Sequence, residues 1–116
     1  MNKFATIITN RNLPKVTDKL FSYLKKTKET DVFIVEAGSD SNKLSKNYTW
    51  HANWKSAMKK GLRFPRGMNF ALSNLWKEKK FKKYDFFFLI TNDTEIKTNN
   101  FFKIFEKIFK ENPRLG

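Results

Sequence analysis

Polar side chains that could bind a ligand follow three apolar segments of this sequence. The first group is Thr9-Asn10-Arg11, the second runs from Glu36 to Asp40, and the third runs from Thr91 to Thr94. If each apolar segment is a strand of one parallel sheet, the three groups lie at the same edge, where such sheets bind ligands. Their donors, acceptors and carboxylates suit a nucleoside diphosphate held together with a metal ion.

Asp93 is the candidate metal ligand of this set. It follows the apolar run Phe86-Phe-Phe-Leu-Ile, so an ionisable group comes abruptly after a hydrophobic strand. Mg²⁺ and Mn²⁺ prefer oxygen ligands and often take only one or two protein carboxylates beside substrate phosphates. The alternative is a simple Asn-Asp-Thr turn, because Asn and Asp bond their own backbone in turns.

Glu36 ends the second apolar segment and could accept a hydrogen bond from a ribose hydroxyl or a base N–H. The alternative is a solvated strand terminus. Gly38, Ser39 and Asp40 can form a tight turn that offers backbone donors. The sequence has no Gly-x-Gly-x-x-Gly and no Gly-Lys-Ser/Thr, so the phosphate cradles of dinucleotide-binding and P-loop proteins are missing.

Several cationic and amide side chains could contact phosphate. Arg11 could pair with a phosphate through its planar fork. Arg63, Arg66 and Asn69 bracket the expected start of a helix, where free backbone N–H groups favour an anion. The alternative for the arginines is plain solvent exposure. His51, the single histidine, is expected to be structural or exposed rather than a ligand or base.

The spacing of apolar residues predicts the strands and helices that position these residues. Strands are expected at about Lys3–Thr9, Val32–Val35 and Asp85–Ile90, with helices from Pro14 to about Lys28, from beyond Pro65 into Lys77, and over Phe101–Phe109. Asn99 or Asn100 is a plausible cap for the last helix, and Asn112-Pro113 should end it. Residues 43–65 give no clear pattern, although Tyr48–His51 is a candidate short strand. The order predicts an α/β fold with a mostly parallel sheet and helices on both faces.

Composition narrows the class of protein. The 116 residues are enough for one domain, spanning 1–116, and thirteen Phe supply much of its apolar material. The absence of Cys excludes disulfides and thiolate zinc sites and is compatible with a cytoplasmic location. No secretory signal is evident, and no apolar run approaches the roughly 20 residues that a spanning helix needs.

The net charge of +13 suggests nucleic acid, anionic lipid or a phosphorylated small molecule as partner, or else lysine-rich faces that only keep the protein soluble. The lysine cluster from Lys77 to Lys83 is expected at the edge opposite the candidate site, as a solvated face. Contact with lipid or nucleic acid is the alternative there. Trp76 and Phe81 have a spacing typical of core residues.

Four segments resemble, in order and spacing, the N-terminal half of family 2 glycosyltransferases with the GT-A fold. They are Ala5–Arg11, Val32–Asp40, Arg66–Leu72 and Phe88–Ile96. The resemblance implies a Rossmann-like GT-A fold, truncated at its C-terminus, in which Thr9, Asn10 and Arg11 line a nucleotide pocket together with Ser39 and Asp40.

The resemblance also assigns single residues. Glu36 stands where the family has an Asp that contacts the base or ribose, and Asn69 matches the Asn of the helix motif. Asp93 matches the last residue of the Asp-x-Asp metal motif. Thr91 stands in place of the first Asp of that motif, so a single carboxylate would hold the ion.

The implied reaction is an inverting transfer of a sugar from a nucleoside diphosphate to an acceptor hydroxyl, with Mn²⁺ or Mg²⁺ as cofactor. This chain would be the donor-binding half, a truncated form or fragment without the acceptor site and the general base. Its partners would be a nucleoside-diphosphate sugar and, once completed, a saccharide or glycan acceptor. It would lie in the cytoplasm, either free or associated with the cytoplasmic face of a membrane. The alternative function is a small basic nucleic-acid-binding domain.

Overall fold

The computed structural model describes residues 3–96, 101–112 and 114, and its centre is a parallel sheet of four strands. The strands are β1 (Phe4–Asn10), β2 (Thr30–Glu36), β3 (Trp50–His51) and β4 (Phe86–Thr91), in the order β3-β2-β1-β4. All three pairings are parallel. The predicted α/β class with a parallel sheet is therefore confirmed, and β3 confirms the short strand expected before Ala52.

Helices cover both faces of the sheet, as predicted. On one face, α1 (Pro14–Thr27) and α4 (Phe101–Glu111) bury Leu24 and Phe102 against β1, β2 and β4. On the other face, α3 (Phe64–Lys77) buries Met68, Ala71 and Leu75 against β1 and β2. Because side chains alternate along a strand, neighbouring β1 residues such as Ile7 and Ile8 enter different cores.

Phenylalanine rings make most of the contact between α4 and the sheet. The ring centroids of Phe102 and Phe4 lie 5.0 Å apart, and Phe109 stacks on Phe86 with their ring centroids 4.5 Å apart. Phe88 contacts Phe101 at 4.9 Å. The phenylalanine residues of the apolar face read from the sequence thus pack as predicted, whereas Ile108, expected on the same face, is 36% exposed. The expected caps Asn99 and Asn100, and the helix-ending Pro113, lie outside the described residues.

Three details differ from the sequence interpretation. A short helix, α2 (Lys55–Lys60), occupies part of the segment that gave no pattern, and α3 begins at Phe64, one residue before Pro65. Proline fits the first turn of a helix because that turn leaves its N–H groups without partners. Trp76 is 59% exposed rather than in the core, although Leu75 in the same turn of α3 is fully buried, so the last turn packs on the sheet through Leu75 and leaves Trp76 at the surface.

In the described part of the chain, no helix combines the length and the apolar composition that crossing a bilayer requires.

Candidate functional site

The strand register brings the predicted polar groups to one edge of the sheet, which we call the C-terminal edge. Asn10, the last residue of β1, is the register partner of Glu36, the last residue of β2, and Glu36 is in turn the partner of His51. On the other side, Thr9 is the partner of Thr91 at the end of β4. Asn10, Glu36 and the loop that carries Asp93 therefore share an edge.

Glu36 is completely buried at this edge. Its Oε1 accepts hydrogen bonds from Asn10 Nδ2 and Ser39 Oγ, both at 2.7 Å, and its Oε2 accepts one from the Ser45 backbone N–H at 2.6 Å. A buried carboxylate is tolerated only when such donors replace its hydration. Both oxygens are therefore occupied inside the protein, and in this structure a ribose or a base cannot reach them.

Asn10 extends the network across the sheet. It is 1% exposed, and its Oδ1 accepts hydrogen bonds from the Leu13 backbone N–H at 3.0 Å and from Asn92 Nδ2 at 3.1 Å. Asn92 Nδ2 also lies 3.2 Å from Thr17 Oγ1 of α1. A continuous set of hydrogen bonds thus joins the ends of β2, β1 and β4. We call the set formed by Glu36, Asn10, Ser39, Ser45 and Asn92 the edge network.

Ser39 fixes the loop after β2 against the loop after β1. Its Oγ accepts a hydrogen bond from the Asn12 backbone N–H at 3.1 Å, while its carbonyl oxygen lies 2.9 Å from His51 Nε2. Asn12 Oδ1 in turn accepts a hydrogen bond from the Asp40 backbone N–H at 2.8 Å. His51 is half-buried and its ring contacts the loop after β2.

Gly38 allows α2 to approach this loop closely. Its φ is +90°, a value that side chains disfavour, and a Cβ at Gly38 would lie 2.0 Å from the Ala57 carbonyl oxygen. Gly61, directly after α2, is equally close to the Arg11 side chain, since a Cβ there would lie 2.7 Å from Arg11 Cδ. The two glycines let α2 and Arg11 pack across the end of the sheet.

Sequence reasoning missed two members of the edge network. Ser45 closes the loop over Glu36, and its hydroxyl donates a hydrogen bond to Asp18 on α1, which also accepts one from Asn47 Nδ2 at 3.2 Å. Asn92 bridges β1 and α1. Asn92 could have been identified from the sequence, because it lies in the polar group after β4. No residue pattern pointed to Ser45, because its role depends on how the loop after β2 folds back over Glu36.

The predicted residues divide into an inner and an outer set. Asn10, Glu36 and Ser39 are buried, and Thr9 is half-buried beneath the first turn of α3. The outer set is exposed and consists of Arg11, Asp40, Arg63, Arg66, Asn69 and Asp93. Every buried side-chain nitrogen and oxygen of the described residues has a hydrogen-bond partner. A ligand can therefore reach the outer set without displacing hydrogen bonds of the buried Asn10, Glu36 and Ser39.

Asp93 lines an open cleft of about 300 Å³ between α1 and the loop after β4, together with Lys19 and Tyr23. The Thr91 hydroxyl donates a hydrogen bond to Asp93 Oδ1, which orients the carboxylate. Among the described residues, no three Asp, Glu, His or Cys residues cluster as a metal site. One exposed carboxylate fits only an ion that takes most of its other ligands from substrate and water.

No protein-family model, curated protein or solved structure matches this chain.

Proposed function

We propose that this chain binds a nucleoside-diphosphate sugar at the C-terminal edge of its sheet, as the donor-binding half of an inverting glycosyltransferase with a Rossmann-like GT-A fold. One observation carries the proposal: the polar residues after β1, β2 and β4 meet at one edge of an all-parallel sheet, joined from Glu36 through Asn10 to Asn92. Open parallel sheets bind nucleotides at that edge.

The outer set would make the contacts and the edge network would position them. Arg11 and Arg66 are exposed cations whose planar forks match phosphate oxygens, and Arg11 is fixed across Gly61. The exposed Asn69 and Asp40 could bond phosphate and ribose hydroxyls, respectively. Glu36 and Asn10 act as positioning residues, because they connect the loops that carry Arg11 and Asp40.

Asp93 would hold the divalent ion jointly with the diphosphate, and the bound ion would offset the charge that develops on the leaving group. The Thr91 hydroxyl keeps the carboxylate of Asp93 turned toward its own loop. We assign no general base to this chain. The saccharide or glycan acceptor and its base belong to the half of the family fold that these residues do not resemble. A cytoplasmic location is part of the proposal.

Calorimetric titration of the folded protein with UDP and other nucleoside diphosphates, with and without Mn²⁺, tests the proposal. Loss of one charged phosphate contact in Arg11→Ala should weaken binding about tenfold with or without the metal. Asp93→Ala should remove only the part of the affinity that Mn²⁺ adds. Lys26→Ala is the matched control, because it removes an exposed cation from the far end of α1 and should leave binding unchanged.

Two results would contradict the proposal. One is a folded protein that binds no nucleoside diphosphate under any metal condition. The other is binding that Lys26→Ala weakens as much as Arg11→Ala does, because general attraction to a basic protein would then account for the affinity.

A further inference from the structure

The opposite edge of the sheet, where the strands begin, carries an exposed tryptophan among lysines. A cavity of about 440 Å³ there is lined by Trp76, Lys77, Lys79, Phe81 and Lys82, which we call the lysine–tryptophan surface. The chain leaves α3 at this edge, forms a 3₁₀ turn over Phe81–Lys83, and enters β4, where the Asp85 N–H bonds the Lys3 carbonyl oxygen at 2.8 Å. The proposed nucleotide edge is thus at the other end of the strands.

The indole of Trp76 is exposed but supported by the core. It contacts Phe81 edge to face at 5.6 Å, and Phe81 stacks on Phe87 of β4 at 4.8 Å. Trp76 nevertheless remains 59% exposed. A large aromatic side chain that packing holds at the surface, rather than covers, offers apolar area to a partner.

The charge around this indole is strongly positive. The segment from Lys77 to Lys83 contains five lysines and a single acid, Glu78. That acid is already engaged, because its oxygens lie 2.8 Å from Trp50 Nε1 and 3.2 Å from Lys80 Nζ. The hydrogen bond from Trp50, with the nearby Lys80 ammonium, lowers the pKa of Glu78, so its charge is constant at neutral pH. The other four lysines are exposed, so an anionic partner can reach them.

We propose that the lysine–tryptophan surface docks this protein on a bilayer that contains anionic phospholipid. Tryptophan prefers the interface between lipid and water, where its ring is among apolar groups and its N–H stays hydrated. Lysines beside it can extend their ammonium groups to lipid phosphates while their stems lie along the apolar surface. Docking at this edge leaves the C-terminal edge facing the solvent. The inference does not depend on the proposed nucleotide binding.

Single-stranded nucleic acid is the other polyanion that such a surface could meet, and the ring geometry disfavours it. Bases bind proteins of this kind by stacking on free aromatic faces. Phe87 covers one face of Phe81, and the Lys82 ammonium lies 5.8 Å from the centre of the Trp76 ring. One exposed ring beside one partly buried ring makes a short platform, whereas single strands stack successive bases on several aromatic side chains.

Vesicle co-sedimentation of the whole chain tests the inference. The protein should bind vesicles of phosphatidylcholine mixed with phosphatidylglycerol, should not bind phosphatidylcholine alone, and should dissociate as salt rises. Each lysine near an anionic surface is worth roughly a fivefold factor in partitioning, so Lys79→Glu/Lys82→Glu should weaken binding at least tenfold. Trp76→Ala should also weaken it severalfold, and because the indole is exposed this variant should fold normally.

The matched control is Lys55→Glu/Lys59→Glu, which makes the same change in net charge on α2, near the other edge. It should weaken vesicle binding less than threefold. Brominated lipid should quench the tryptophan fluorescence of the unchanged protein, and this quenching should fall in Trp76→Phe.

Three results would overturn the inference: no binding to the anionic vesicles, equal losses in the two double variants, or quenching that Trp76→Phe leaves unchanged. Single-stranded RNA that binds more tightly than the vesicles and loses affinity in Trp76→Ala would also overturn it, by assigning the surface to nucleic acid.

Discussion

The C-terminal edge of the sheet is organised by directional hydrogen bonds, whereas the opposite edge is organised by aromatic rings and lysines. At the first, the edge network connects three loops around the buried Glu36 carboxylate. At the second, Trp76, Phe81 and Phe87 form a row of ring contacts, and the charged groups stay in water. One sheet thus has an edge at which hydrogen bonds hold the loops together and an edge at which aromatic and cationic side chains are exposed.

The two edges should differ most in the free energy of unfolding that is lost when an acidic side chain is removed from each. Glu36→Ala leaves the buried Asn10 Nδ2 and Ser45 N–H donors without an acceptor and leaves Ser39 Oγ only its longer hydrogen bond to the Asn10 carbonyl oxygen at 3.3 Å, so we expect the free energy of unfolding to fall by about 4 kcal/mol. Glu78→Ala removes an exposed acid that is bonded to Trp50 and Lys80, and should cost under about 1 kcal/mol. Urea denaturation measures both values.

Glu36→Gln provides a milder form of the same experiment. It preserves the shape of the side chain but replaces one accepting oxygen with an amide NH₂, so it should lie between wild type and Glu36→Ala. Equal losses for Glu36→Ala and Glu78→Ala would remove the distinction between the two edges.

A substitution at Gly38 tests whether close backbone packing supports the C-terminal edge. Gly38→Ala places a Cβ against the Ala57 carbonyl at a positive φ, so we expect a loss of roughly 3 kcal/mol in the free energy of unfolding. Gly67→Ala is the control, because a Cβ there would lie 3.2 Å from Thr9 Cγ2 and Ala favours the helix. Thermal and urea denaturation should place Gly67→Ala near wild type. Similar losses at both glycines would show that general crowding, and not the approach of α2, is responsible.

An effect smaller than those at Glu36 and Gly38 is expected at the opposite edge and depends on pH. Burial, together with the hydrogen bond to Asp31 Oδ2 at 2.6 Å, raises the pKa of Tyr84 above its ordinary value near 10. The unfolded chain therefore loses this phenolic proton first. The stability that Tyr84 contributes is full below about pH 10 and is lost as the pH rises further.

Tyr84→Phe should reduce the free energy of unfolding by about 1 kcal/mol at neutral pH and should make its decline above pH 10 shallower. Urea denaturation as a function of pH checks both features. Parallel pH curves for the two proteins would mean that the lysines alone cause the alkaline decline.

The strands and helices could be predicted from the sequence because the residue patterns that define them are local. The apolar runs ending at Thr9, Val35 and Ile90 predicted the strands to within one residue at their C-terminal ends, and the periodic Phe residues predicted the packed face of α4. Trp76 was read as core for the same reason, since spacing records which face of a helix a residue is on. It does not record how wide the buried stripe is: Leu75 is fully buried, whereas Trp76, the next residue around the helix, is 59% exposed.

The approximate ends of the strands follow from the apolar runs alone, and Asn10, Glu36 and the loop of Asp93 then belong to one edge because parallel strands align their ends. Which of these residues a ligand can reach depends on how the chain folds back around them. Glu36 is buried because Ser45, nine residues further along the chain, folds back to bond it, and Arg11 is exposed because Gly61 leaves room for it to cross the surface. Burial depends on contacts between segments distant in the chain, and no local pattern of residue types encodes those contacts.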